Sequence, residues 1–423
     1  MFAALLLVAA ITLGAAWITV LARQPQELVE SPGASRAHVV LTHWLDEGYF
    51  HYVGMINRDP KKMSLYRSTT GAYMVSSFIV EKIHVTMFGR YSYRLLALHN
   101  EVVTMILCAL AGLLSYRLAR RFGLEPILAL AAGASVVIVL FTFPESLQLY
   151  WEMTAQSYAL LFALVFLILE ERGLDHSRRT RGLLIAQAVA VFLMTAMEMI
   201  FGLCFAASLV AAIVLLRRGE SFRRFLLVAV LPCLAGLAVY LVQVKIATAR
   251  FPDAPTTGSN ILFRTGLDGD ASVYGDHLDI ALNRTIPRGN WAANRQYLFR
   301  WPTVFFLGVA SIFAVLIAFV RGRAPRFALE ALATLTGAWV LYAAVFSQSV
   351  KVHPWLFDLL LFAPLAIALF AVAPSLLESV TGRTGAIVLV FVFSAFWYSL
   401  FQMRLYSLRY PTLPPPAASA APR

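Results

Sequence analysis

Charge and cysteine are both scarce in this chain. Of its 423 residues, 14% are charged and 3 are cysteine. A soluble domain carries about a quarter charged residues, so a water-facing globule is excluded. Cys108, Cys204 and Cys233 all fall inside apolar runs, and no C-x-x-C spacing occurs. That argues against a disulfide framework and against a metal or redox centre built on cysteine. The three read as small core side chains. No internal repeat of the kind that marks transporters is visible, and no nucleotide-sugar signature occurs in the loops. A net charge of +12 would suit nucleic acid if the arginines were pooled on one face. They cluster between apolar runs instead, so the partner they imply is a lipid bilayer and not nucleic acid.

What the chain has in abundance is apolar length, with 60% of its residues hydrophobic. Runs able to cross a bilayer recur at 2–22, 93–116, 125–143, 155–169, 182–197, 200–216, 225–247, 302–320, 327–346, 355–373 and 384–403. The expected fold is an all-α polytopic membrane protein with about 11 transmembrane helices. The first run starts almost at Met1 with no basic leader and is long enough to span, so it reads as a helix and not a cleaved signal. The short pair 182–197 and 200–216 is flanked at both outer ends by basic groups, Arg178 to Arg181 and Arg217 with Arg218. Two passes put those groups on one side, with Glu198 near the hairpin tip.

Basic residues fill alternate loops. Arg117, Arg120 and Arg121 occupy one; Arg172, Arg178, Arg179 and Arg181 another; Arg217, Arg218, Arg223 and Arg224 a third; Arg321, Arg323 and Arg326 a fourth. The positive-inside rule assigns these to the cytoplasm. The intervening loops then face outward: 143–153 with Glu145 and Glu152, the tip at Glu198, the long segment 249–301, and 347–355 with Lys351 and His353. The tail 411–423 is rich in Pro and Ala and is expected to be disordered. Residues 69–88 are only moderately apolar and carry Glu81, Lys82 and His84. Such charge is costly in an isolated span and cheap in an amphipathic helix lying in the interface. The interfacial reading keeps the first loop outside.

That loop opens with H-W-L-D-E-G-Y-F-H-Y at 43–52. Asp46 and Glu47 form an acid pair suited to proton abstraction or metal binding, and Trp44 and Tyr49 suit a ring-shaped substrate or the membrane interface. The plainer alternative is a solvated carboxylate pair beside interfacial rings. Further along, D-G-D at 268–270 with Asp276 and Asp279 hints at calcium but does not match the EF-hand pattern.

The ordered layout carries more than any one motif. L-D-E-G-Y at 45–49 is followed by Y-R-S-T-T-G-A-Y at 66–73, F-G-R-Y-S-Y-R-L-L-A-L at 88–98 and Y-R-L-A-R-R-F-G at 116–123. This resembles the GT-C superfamily of integral-membrane glycosyltransferases, in particular the protein O-mannosyltransferase and aminoarabinose transferase group. The resemblance covers about residues 1–170 and thins beyond. It implies one GT-C-like domain over 1–410, with loops 23–92 and 249–301 roofing an outer active site. The implied activity is inverting transfer of a sugar from a polyprenyl-monophosphate carrier to a hydroxyl of a glycolipid, glycan or protein, as in building a cell-envelope glycan. The implied place is a bacterial inner membrane, with the site facing the periplasm.

By that resemblance Asp46 is the general base, and Glu47 orients it, binds a metal or holds the acceptor. Glu145 is the favoured second acid, with Glu152 close behind as a substrate-binding alternative. A departing phosphate calls for cations, for which Arg58, Lys61, Lys62, Arg67, Lys351 and His353 are candidates. Each of these also fits a basic side chain reaching lipid headgroups. No cofactor is required; a divalent cation is left open. Two rivals stand beside this reading. One is an O-antigen polymerase or ligase type of enzyme with a polyprenyl-diphosphate donor, using Arg264, His277, Arg284 and Arg295. The other is a non-enzymatic transporter of lipid-linked sugars, opposed by spans that read as nearly free of charge.

Overall fold

The computed structural model describes residues 2–21, 40–48, 56–57, 65–66, 71–142, 155–174, 180–216, 222–251, 325–345 and 354–409. Nearly all of them are helical. Helix α1 is Phe2–Leu21, and 40–46 form a short α2. Two-residue strands follow, β1 (Ile56–Asn57) and β2 (Leu65–Tyr66), paired antiparallel with Ile56 opposite Tyr66. Helix α3 (Val75–Phe88) and α4 (Tyr93–Arg121) come next, then α5 (Pro126–Thr142), α6 (Ala155–Arg172), α7 (Arg181–Met197) and α8 (Met199–Leu216). Helix α9 runs continuously over 222–250, α10 is Arg326–Val345 and α11 is Pro354–Arg409.

Local chemistry sets the boundaries. The Ser92 hydroxyl accepts the Leu95 N–H at 3.2 Å to start α4, and the Thr180 hydroxyl accepts from Leu183 to start α7. Pro126 opens α5, where its missing N–H costs nothing. In α9 a π turn over Leu226–Val230 directly precedes Pro232, whose ring would otherwise meet the carbonyl four residues back. Helix α11 is two arms meeting at Gly382, whose backbone (φ 72°, ψ 175°) is closed to residues with a side chain. The arms correspond to the runs expected at 355–373 and 384–403, while the run at 302–320 lies outside the described residues.

Among the described residues, four segments are long and apolar enough to cross a membrane: Arg94–Arg121, Met199–Leu216, Arg223–Arg250 and Thr381–Ser399. The protein is thus a multi-pass helical membrane protein. Helix α3 is of another kind. Its 14 residues rise about 21 Å, short of the roughly 30 Å hydrocarbon core. Its polar side, Ser77 and Glu81, is buried against the protein, and Ile79, Ile83 and Met87 are exposed. That pattern is the one an amphipathic helix lying along a bilayer surface requires.

The bundle closes through small residues. Gly112 of α4 and Gly133 of α5 approach backbone to backbone, and Thr195 of α7 is wedged between Gly202 of α8 and Gly236 of α9. The link from α7 to α8 is the single residue Glu198 in extended conformation (φ −138°, ψ 92°), so the two short runs do form separate helices. Arginines gather at one end. Arg117 and Arg121 both donate to Glu171 (2.6 and 2.8 Å), and Arg224 and Gln187 both donate to the buried Glu170. The basic termini of α4, α6 and α9 therefore share one end of the bundle, as the alternating loops required.

Candidate active site

The acid pair sits at the other end, on α2. Val40, Leu41 and Trp44 fall on one face of this short helix and are buried with Met74, Leu96 and Ala247. Trp44 is 1% exposed and meets the Phe78 ring of α3 edge-on at 5.8 Å. That anchor turns Asp46 and Glu47 outward, where both are exposed. Gly48, with φ 92°, ends the helix one residue later. Trp44 was expected against substrate; its burial makes it the anchor of the helix instead. His43 and Glu47, one turn apart, pair at 3.2 Å.

The turn 89–92, between α3 and α4, is tied down by three side chains. His84 Nδ1 donates to the Arg90 carbonyl at 2.7 Å, and the Ser92 N–H donates to Glu81 Oε2 at 3.3 Å. The Tyr91 hydroxyl donates to Asp46 Oδ1 at 2.9 Å, joining α2 to the base of α4. Burial, together with the Asp46 carboxylate it bonds and Glu81 beyond, pushes the Tyr91 phenol up to about 12. Burial likewise holds Glu81 above the usual carboxylate range, against the Ser92 bond and the nearby His84.

Behind this surface lies a layer of buried polar groups. Ser76 bonds the Tyr158 hydroxyl, and Ser77 meets His99 at 3.3 Å. The Gln156 amide donates to Tyr342 Oη (3.1 Å) and more weakly to Glu198 Oε2 (3.4 Å). Glu101 of α4 is fully buried, and neither of its carboxylate oxygens has a hydrogen-bond partner among the described residues. Glu330 of α10 is also buried. The expectation of spans nearly free of charge is corrected by these two acids, each hidden inside a run whose average apolarity masks a single carboxylate.

Of the other residues singled out from the sequence, Tyr49, Arg58, Lys61, Lys62, Arg67, Glu145, Glu152, Lys351 and His353 lie outside the described residues. So do Arg264, His277, Arg284 and Arg295 of the rival reading. Among the described residues no three His, Cys, Asp or Glu side chains gather as a metal site would require. Sequence reasoning missed Tyr91, Glu81 and His84 as neighbours of the acid pair. Tyr91 stood inside the quoted motif 88–98, but its contact with Asp46 spans 45 residues of chain and no periodicity reports it.

No family model matches the sequence, and no curated protein is significantly similar to it. Solved structures are similar in fold. The crystal structure of ArnT from Cupriavidus metallidurans bound to undecaprenyl phosphate superposes with a TM-score of 0.51 at 16% identity, covering 96% of this chain and 70% of that one. An oligosaccharyltransferase from Archaeoglobus fulgidus in its apo form superposes with a TM-score of 0.53 at 14% identity. That match covers 95% of this chain but only 56% of the longer archaeal protein. The likeness to each runs through almost the whole of this sequence. This chain therefore shares the fold of those two proteins, in line with the fold that the resemblance to the GT-C superfamily implied.

Proposed function

We propose that the protein is an inverting glycosyltransferase that moves a sugar from a polyprenyl-monophosphate carrier to a hydroxyl of a glycolipid, glycan or protein. The observation that carries this reading is the placement of Asp46. Its carboxylate is exposed at the end of a helix locked by the buried Trp44, in a chain with the GT-C fold. Undecaprenyl phosphate bound to ArnT supports a lipid-phosphate donor here as well.

The chemistry is a single displacement. Asp46 takes the proton of the acceptor hydroxyl as its oxygen bonds the anomeric carbon, on the face opposite the departing phosphate. The bond from that carbon to the phosphate oxygen breaks, and polyprenyl phosphate leaves with the electron pair. Configuration inverts. Glu47 holds the acceptor or the base, and Glu145, or Glu152 in its stead, supplies the second acid. Arg58, Lys61, Lys62, Arg67, Lys351 and His353 are the cations proposed to meet the phosphate. Tyr49 is proposed to stack on the sugar. In this reading residues 1–410 form one domain of about 11 spans, set in a bacterial inner membrane. The arginine end lies in the cytoplasm and Asp46 faces the periplasm.

The test is transfer of radiolabel from individual undecaprenyl-phosphate sugars (mannose, glucose, arabinose and 4-aminoarabinose) in membranes holding the wild type or Asp46→Asn. We expect at least one donor to turn over, and the variant to lose about 100- to 10,000-fold in rate. Full activity in Asp46→Asn removes it as the base, and turnover of polyprenyl-diphosphate donors alone replaces this reading with the polymerase type.

A further inference from the structure

The Asp46 carboxylate has one oxygen engaged and one open. Oδ1 accepts the Tyr91 hydroxyl at 2.9 Å, and Asp46 makes no other hydrogen bond among the described residues. A terminal carboxylate on an exposed side chain turns easily about its last bond. A base that must meet a hydroxyl at one angle gains from having that rotation stopped. Tyr91 is well placed to stop it. It sits in the four-residue turn whose neighbours on either side, Arg90 and Ser92, are held by His84 and Glu81. Those two side chains belong to α3, and the helix bearing Asp46 packs on the same α3 through Trp44 and Phe78. Donor and acceptor are thus mounted on one rigid support, although 45 residues separate them in the chain.

We propose that Tyr91 is the positioning residue of the reaction: its phenol fixes Asp46 through Oδ1 and leaves Oδ2 for the proton of the acceptor hydroxyl. A phenol suits this task because it stays a neutral donor while the carboxylate is ionised. The elevated range in which Tyr91 ionises, about 12, agrees with that role. Glu81 and His84 hold the turn and do not touch the reacting atoms. Tyr91 itself passes no proton to substrate; it sets where the proton goes.

The inference rests on Asp46 being the base, so wild type, Tyr91→Phe and Asp46→Asn are measured together. The full chain in native membranes is used, with the labelled undecaprenyl-phosphate sugar that the wild type turns over. Tyr91→Phe keeps the ring and removes only the hydroxyl. We expect kcat to fall about 10- to 100-fold with little change in the KM for donor. A residue that merely supports the fold would lower the amount of active protein and leave the kcat of the active fraction where it was. Wild-type kcat in Tyr91→Phe, with Asp46→Asn inactive, overturns the role of Tyr91 alone. Wild-type activity in Asp46→Asn overturns both readings.

Discussion

Gly112 and Gly133 meet across α4 and α5 with nothing but backbone between them. A Cβ on Gly112 would stand 2.8 Å from the Gly133 carbonyl oxygen, and one on Gly133 would stand 2.7 Å from that of Gly112. Both are closer than atoms of these types tolerate, and the obstacle is main chain, which cannot swing aside. Gly133→Ala should therefore cost about 1–3 kcal/mol, the usual penalty of overpacking. A thermal midpoint of the detergent-purified protein measures it. An unchanged midpoint would mean that the two helices slide apart freely.

Glu170 and Glu171 are neighbours with unequal duties. Glu170 is 0% exposed and accepts from both Arg224 and Gln187; Glu171 is 11% exposed and takes two arginines that reach solvent. Removing Glu170 takes away the buried carboxylate that a largely buried guanidinium pairs with, a loss of about 3–5 kcal/mol. Water and salt screen the arginines of Glu171, so its pairs contribute less. Glu170→Ala should lower the melting temperature more than Glu171→Ala in the same detergent. The reverse order would refute the burial argument.

Glu81 links stability to pH. Burial raises its carboxyl above the ordinary value of 4.5, outweighing the Ser92 bond and His84. The folded state then holds a proton that the unfolded state has released, and stability declines wherever the unfolded chain binds fewer protons. The contribution of Glu81 is whole below pH 4.5 and is lost as pH rises through the folded-state value. Glu81→Gln stays neutral and can still accept the Ser92 N–H. Melting curves of the two proteins should converge on the acid side and separate above it, with the Gln variant the more stable. Parallel curves at every pH would show that Glu81 is not the group responsible.

Much of the helical layout was legible because a bilayer leaves few options: an apolar run of 20 residues must be a helix. The boundaries at Ser92, Thr180, Glu198 and Gly382 fall where capping, charge or glycine interrupts such a run. The side chains inside the runs were harder to read. Trp44 looked like a ligand for substrate because aromatic residues serve both purposes, and only packing tells a buried anchor from an open platform. Glu101 went unnoticed since one carboxylate barely dents the apolarity of a long span. The turn holding Tyr91 against Asp46 depends on the docking of α3, a tertiary event with no local signature. The acid pair was legible, but what fixes its orientation was not.

The pairing of Arg117 and Arg121 with Glu171 also bears on how the chain reaches its place. Those arginines precede their acid by 54 and 50 residues, so synthesis delivers them first. While the earliest helices are being threaded into lipid, both stand as uncompensated positive charge, the condition under which such residues steer orientation. Once α6 has been made, the same charges become a clasp between helices. By the positive-inside rule the same residues would serve as signpost during synthesis, and they hold two helices together afterwards, so the order of the sequence would separate the two duties in time.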